Sequence, residues 1–309
     1  MKSKIIVYLF TFMTVADFSS AQVVSVQPVV NPVTAIPNKR ITVKEINLST
    51  GVRLQYAEQG DSNGIPVIFL HGITDSWHSF ESVLAHLPSS VHAFAISQRG
   101  HGDSERPLDG YTPRHFAADV AAFIKQKKLN KVFVAGHSMG GVHAQQFALD
   151  YPELTKGIVI INAEPELKNN PGMPEFYQEV MNMGETISWA FMDGFQRACL
   201  SRPIDSAYYK LLVDEGTKVP ARVFKSAFTG LMNAYFSERL TEINIPVLVF
   251  WGNKDAFFFF KGQEILLNNI KNVKMVVYNT GHALHWEKPE EFATDLVDFT
   301  GTINGKKNN

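Results

Sequence analysis

The chain has a single cysteine, Cys199, among 309 residues, so no intrachain disulfide can form and the fold must rest on its core. It has no surplus of charge either. With 29 basic and 30 acidic residues, a formal charge of -1 and no strong run of one sign, nothing points to nucleic acid or an anionic membrane surface as a partner. The apolar stretch Ile5 to Ala16 is too short to span a bilayer comfortably, and Asp17 closes it, so no stable membrane anchor is expected. Internal repeats, low-complexity segments and zinc-type ligand spacings are lacking, and neither metal nor cofactor is expected.

What is there is a large apolar inventory: 45% hydrophobic and 12% aromatic residues, enough for one α/β domain carrying an insertion. Lys2 and Lys4 precede the apolar stretch, and Ser19-Ser20-Ala21 follows with small residues, which reads as a secretory signal over residues 1–21 cleaved after Ala21. A secreted or periplasmic location is the expectation. Residues 22–40, with Pro28, Pro32 and Pro37 and no helical period, read as an extended linker.

From Ile41 the pattern becomes regular. Ile41 to Leu48 and Val52 to Glu58 predict a hairpin about Ser49-Thr50-Gly51. Apolar runs at Val67 to Leu70, Val91 to Ser97, Val132 to Ala135 and Gly157 to Ile161 follow, separated by helical patterns. Two more stand at Val247 to Trp251 and Val273 to Tyr278. Short apolar strands alternating with helices predict an eight-stranded, mostly parallel sheet covered on both faces, an α/β fold with its core in residues 41–163 and 244–303. Residues 164–243 predict an insertion of helices at Pro174 to Met183, Ile187 to Leu200, Ser206 to Val219 and Ala221 to Leu240, forming a cap.

The pentapeptide Gly136-His137-Ser138-Met139-Gly140 lies between an apolar strand run and a helical pattern, the context of a nucleophile elbow. Small residues two positions either side of the serine let strand and helix approach, and the helix start aims unpaired N-H groups at a developing oxyanion. Other loops leaving strand ends carry His71-Gly72-Ile73-Thr74, Asp255, and Gly281-His282. Glu164 also falls just beyond a strand, so two candidates for an acid partner stand, with Asp255 favoured. His285 is the alternative to His282.

With these features in order, the sequence resembles the α/β-hydrolase superfamily over nearly all of residues 41–300. The resemblance rests on His71-Gly72, the turn Arg99 to Ser104, the Gly136 to Gly140 elbow, Asp255, and Gly281-His282 followed by Glu287-Lys288-Pro289. It implies a Ser138-His282-Asp255 triad, an oxyanion hole from the backbone N-H groups of Ile73 and Met139, and acyl transfer, through an acyl-enzyme, on a small to medium, apolar carboxylic ester or lactone. Epoxide hydrolases and haloalkane dehalogenases of this fold carry aspartate where Ser138 stands, so their chemistry is not expected. Carbon-carbon bond hydrolases, cofactor-free haloperoxidases and ligand-binding receptors share the triad and remain alternatives. The family usually has aspartate at the position of Ser97, a departure that touches how the arginine-glycine loop is pinned. Trp77, His137, Phe257 and Phe258 are the expected substrate contacts, with Trp189, Phe191, Phe195 and the rest of Phe257 to Phe260 as further apolar candidates; His143 is expected to pack.

Overall fold

A computed structural model describes residues 41–305. The expected signal and linker, residues 1–40, lie outside the described residues. The core strands are β1 (Thr42–Asn47), β2 (Arg53–Gln59), β3 (Ile65–Leu70), β4 (Val91–Ile96), β5 (Val132–His137), β6 (Thr155–Ile161), β7 (Val247–Gly252) and β8 (Val273–Tyr278). They form one sheet in the order β1-β2-β4-β3-β5-β6-β7-β8. Pairings of β1 with β2 and of β2 with β4 are antiparallel, and the other five are parallel.

The period of two explains why this sheet is sandwiched. Along β3, β5, β6 and β7 successive side chains enter opposite cores: Ile68, Val134, Ile160 and Val249 on one face, Phe69, Phe133, Val159 and Phe250 on the other. The helices α1 (Glu81–His86), α2 (Pro113–Gln126) and α3 (Met139–Asp150) belong to the core. Phe116, Phe123 and Phe147 of α2 and α3 fill the first face, and Val83 and Leu84 of α1 the second.

Between β6 and β7 the chain leaves the sheet for α4 (Met173–Met181), α5 (Trp189–Ala198), α6 (Ser206–Thr217) and α7 (Ala221–Met232). Pro174 sits in the first turn of α4, where its missing N-H costs nothing, and the Asp205 carboxylate caps α6 by accepting from the N-H groups of Ala207 and Tyr208. The helix expected over Ala221 to Leu240 ends earlier, at Met232. Tyr235 there forms an antiparallel bridge with Glu166 and the Phe236 N-H donates to the Pro165 carbonyl, so the chain closes back on the start of the insertion before a short 3-10 turn at Ser237–Glu242. After β7 come α8 (Phe260–Asn269), then, beyond β8, α9 (Leu284–Glu287) and α10 (Pro289–Gly305); Phe292 and Leu296 of α10 cover the second face. Among the described residues no helix is long and apolar enough to cross a membrane.

The arginine-glycine turn after β4 is pinned by a buried ion pair. Arg99 makes two 2.7 Å hydrogen bonds to the Asp119 carboxylate of α2, which also accepts from the Thr50 hydroxyl. Ser97 accepts at its hydroxyl from the Trp77 N-H at 3.1 Å and through its carbonyl from Ser104, tying the loop after β3 to the loop after β4. Removing one member of a buried pair strands the other. Asp119→Ala should therefore lower unfolding stability by about 3–5 kcal/mol in urea melts, whereas loss of the exposed partner of an i,i+4 surface pair, as in Lys210→Ala, should change it by under about 1 kcal/mol.

Candidate active site

The serine after β5 is held in a conformation that few residues adopt. Ser138 has φ 52° and ψ -116°, between a strand that ends at His137 and a helix that begins at Met139. The bend is forced by close packing. A side chain at Gly136 would meet the Gly140 carbonyl oxygen at 2.0 Å, and one at Gly140 would meet the Leu70 carbonyl oxygen at 2.1 Å. The Ser138 N-H donates to the Ile161 carbonyl at 2.9 Å, while its own carbonyl accepts from Gly141 and Val142 to start α3. The hydroxyl is thereby turned out of the sheet.

The structure brings Asp255 and His282 together at 2.8 Å, Oδ2 to Nδ1. The other carboxylate oxygen of Asp255 accepts from the N-H groups of Phe257 (2.7 Å) and Phe258 (3.1 Å), so both oxygens have fixed partners. His282 and Ser138 line one cavity, together with Ile73 and Met139. Among the described residues Ser138 makes no side-chain hydrogen bond. Met139 is the first residue of α3, where no preceding turn takes its N-H.

Glu164 goes elsewhere. Its carboxyl accepts from the Phe259 N-H and the Asn170 amide, bracing the back of the loop that carries Asp255. Burial pushes its pKa up to about 7 against the pull of those hydrogen bonds. His285 is also not at the cavity: it is fully buried, stacks on Phe80 and shares a 3.0 Å hydrogen bond through Nε2 with the Ser79 hydroxyl, and burial holds its pKa well below the usual value.

Of the expected substrate contacts, Phe257 and Phe258 line the cavity and pack on the His282 ring at 5.0 and 5.2 Å between centroids. Phe259 and Phe260 do not; they cap and begin α8, so the four-phenylalanine run is half pocket wall and half helix start. Phe195 reaches the cavity from the cap, whereas Trp189 is half exposed on the start of α5 and Phe191 packs on Phe195 and Phe224. Two expectations need correcting. Trp77 is buried in the second core and stacked on His78, on the far side of the sheet from the cavity, because the 3-10 turn that holds it packs against α1. His137 points behind the loop that carries His282 instead of into the pocket, since its position in β5 alternates away from Ser138; its Nε2 lies 3.1 Å from the His282 carbonyl. His143 packs against Phe116 and bonds Gln98.

Two residues that the sequence pattern does not single out hold this arrangement. Asn162, in the left-handed region at φ 43°, donates from its amide to the carbonyls of Gly281 (3.2 Å) and His282 and accepts from the Gly252 N-H at 2.8 Å. It ties the histidine loop to the end of the acid-bearing strand. The signal was present as one polar residue ending the apolar run of β6 at the carboxyl edge of the sheet. Asp75, two residues past Ile73, is buried and accepts from Ser79 and from Gln196 of the cap, and desolvation raises its pKa to about 6.

Residues 65–289 match the alpha/beta hydrolase fold family. The chain belongs to that family. Among relatives of this α/β hydrolase, a putative 2-succinyl-6-hydroxy-2,4-cyclohexadiene-1-carboxylate synthase of Bacillus subtilis is 29% identical over 273 residues, 84% of this chain and 98% of the relative. An epoxide hydrolase 3 of Siraitia grosvenorii is 26% identical over 83% of this chain and 98% of its own. A putative aryl esterase of Burkholderia cenocepacia superposes with a TM-score of 0.76 at 25% identity, over 85% of this chain and all of the other. The esterase of Exiguobacterium antarcticum, at 20% identity and TM-score 0.76, shares the fold.

Two outcomes test the bracing of this site. Asn162→Asp keeps the turn-compatible shape and the acceptor but removes the donor to both carbonyls; turnover should fall by about 10- to 100-fold, read as kcat per titrated active site. For Glu164 the sign follows from its raised pKa: the folded protein holds a proton that the unfolded chain releases near 4.5, so its contribution to stability falls as pH climbs from about 4.5 to 7. Wild type should lose stability relative to Glu164→Gln across that window, by on the order of 3 kcal/mol in denaturant melts.

Proposed function

We propose that the protein is a serine hydrolase that cleaves a small to medium, apolar carboxylic ester or lactone through an acyl-enzyme on Ser138. The observation that carries this reading is one cavity holding a strained serine, a histidine already oriented by an aspartate, and otherwise apolar walls.

A serine hydroxyl is a weak nucleophile at neutral pH and needs a base. Asp255 accepts the Nδ1 proton of His282, which leaves Nε2 free to take the Ser138 proton as Oγ attacks the substrate carbonyl. Apo sites often hold such pairs beyond hydrogen-bond reach until substrate closes them. The oxyanion of the tetrahedral intermediate accepts from the N-H groups of Met139 and Ile73, each worth about 3 kcal/mol of barrier in comparable sites. Collapse breaks the bond to the alcohol, which leaves with the proton from His282. Water then attacks the acyl-enzyme with His282 again as base, releasing the acid and restoring Ser138.

Ester cleavage matches the putative aryl esterase that superposes on this chain at 25% identity, and Ser138 argues against the mechanism of the epoxide hydrolases among its relatives. Carbon-carbon bond hydrolysis on the same serine, histidine and acid is the second reading, since it uses the same groups. Turnover of a small chromogenic ester but not of a vinylogous diketone selects the first. Secretion after cleavage past Ala21 is part of the proposal, and N-terminal sequencing of the exported protein tests it.

A phosphonate should add once, on the peptide spanning Gly136 to Gly140, and Ser138→Ala should be inert; label elsewhere or retained activity refutes the reading. Asp255→Asn should lower kcat by on the order of ten-thousand-fold. Phe257→Ala should raise KM for longer acyl chains more than for acetates, since burial of a ring against a chain contributes about 1–3 kcal/mol.

A further inference from the structure

Resting on the serine-hydrolase reading, the charge distribution around the cavity says which of many esters it admits. The cap closes the cavity with Leu167, Met173, Phe176, Phe195, Phe228 and Leu231, and every other lining residue is apolar except Ser138 and His282. Both of those have work in the reaction, so no side chain of the wall is left to pair with a polar or charged group of the substrate.

The surroundings are one-sided. Among the described residues the buried cationic side chain of the Lys and Arg type is Arg99, and it is held by Asp119 and the Gly110 carbonyl in the turn after β4. Burial keeps His71, His137, His143 and His285 well below their ordinary pKa, and His101 near 4, so these rings carry no positive charge at neutral pH. Three carboxyls stand close by: Asp255 on His282, Glu164 beneath the Phe259 N-H, and Asp75 behind the oxyanion loop, near enough to His282 for their charges to interact.

We propose that this site selects uncharged esters and rejects substrates bearing a carboxylate on the acyl side. An anionic group entering the cavity would shed its water, meet no cation or free hydrogen-bond donor beyond the oxyanion hole, and feel the buried carboxyls at short range. The B. subtilis relative's name describes a product with a carboxylate group, which this cavity is not built to hold. Sequence similarity to that relative therefore does not carry its substrate across.

The test compares three 4-nitrophenyl esters of equal reach at pH 8: the hexanoate, the adipate half-ester with its free carboxylate, and the methyl adipate that masks it. Background is read from Ser138→Ala, and active sites are counted with a neutral phosphonate. The expected result is kcat/KM for the half-ester at least 100-fold below that for methyl adipate, with methyl adipate within about tenfold of the hexanoate. Leu231→Arg places a cation in the wall and should raise the half-ester to methyl adipate ratio at least tenfold. If that variant fails to fold, the wild-type ratio still decides. A half-ester turned over within threefold of methyl adipate, by enzyme whose Ser138 is labelled, overturns the charge selection alone. Failure of the phosphonate to label Ser138 overturns the serine reading and this inference with it.

Discussion

The contact between α3 and the strands beneath it sets the geometry on which the rest depends. Gly136 and Gly140 bring backbone to within a distance that no side chain allows, and Ser138, caught between them, must take a positive φ. Such a conformation costs on the order of 1–3 kcal/mol and persists because the surrounding sheet over-determines it. β5 sits centrally, paired with β3 and β6, each buried on both faces. The strain is thus borne by a strand buried along its whole length, and the serine is carried by strand and helix where a mobile loop would blur its position.

The histidine and its acid depend on a weaker framework, loops at the carboxyl ends of β7 and β8. Here hydrogen bonds replace packing. Asn162 joins Gly252 to the carbonyls of Gly281 and His282, His137 lies behind the same carbonyl, and Glu287 accepts from the Gly281 N-H while also holding Ser201 of the cap. The cap contributes on the other side, where Gln196 reaches Asp75 beside the oxyanion loop. Cap, oxyanion loop and histidine loop are coupled through buried polar groups, so displacement of the cap would be felt at Asp75 and at Gly281.

Much of this was legible in the residues. Six strands were visible because apolar runs of four to seven residues between helical patterns have few other solutions, the first two because the turn Ser49-Thr50-Gly51 separates them, and the elbow because only glycine tolerates its contacts. Helix ends were less so: nothing local in Asn233-Ala234-Tyr235-Phe236 announces that the last cap helix stops at Met232, since the cause is a bridge to Glu166, far away in sequence. The pocket was half legible. Phe257 and Phe258 follow the acid and so had to lie near His282, but Trp77 and His137 were misplaced because proximity in sequence to a catalytic loop does not say which face of the sheet a side chain takes. Asn162 and Asp75 escaped for a related reason, as their roles are defined by partners on other strands.

The central claim is that the substrate's acyl group becomes covalently attached to Ser138. Rapid quenching during turnover of 4-nitrophenyl butanoate, followed by mass measurement of the peptide spanning residues 136–140, tests it directly. The account predicts a transient mass increase equal to one butanoyl group on Ser138, appearing with a burst of nitrophenol and absent in Ser138→Ala. Turnover of that ester by wild type with no adduct at any quench time and no burst, or an adduct on another residue, would contradict it.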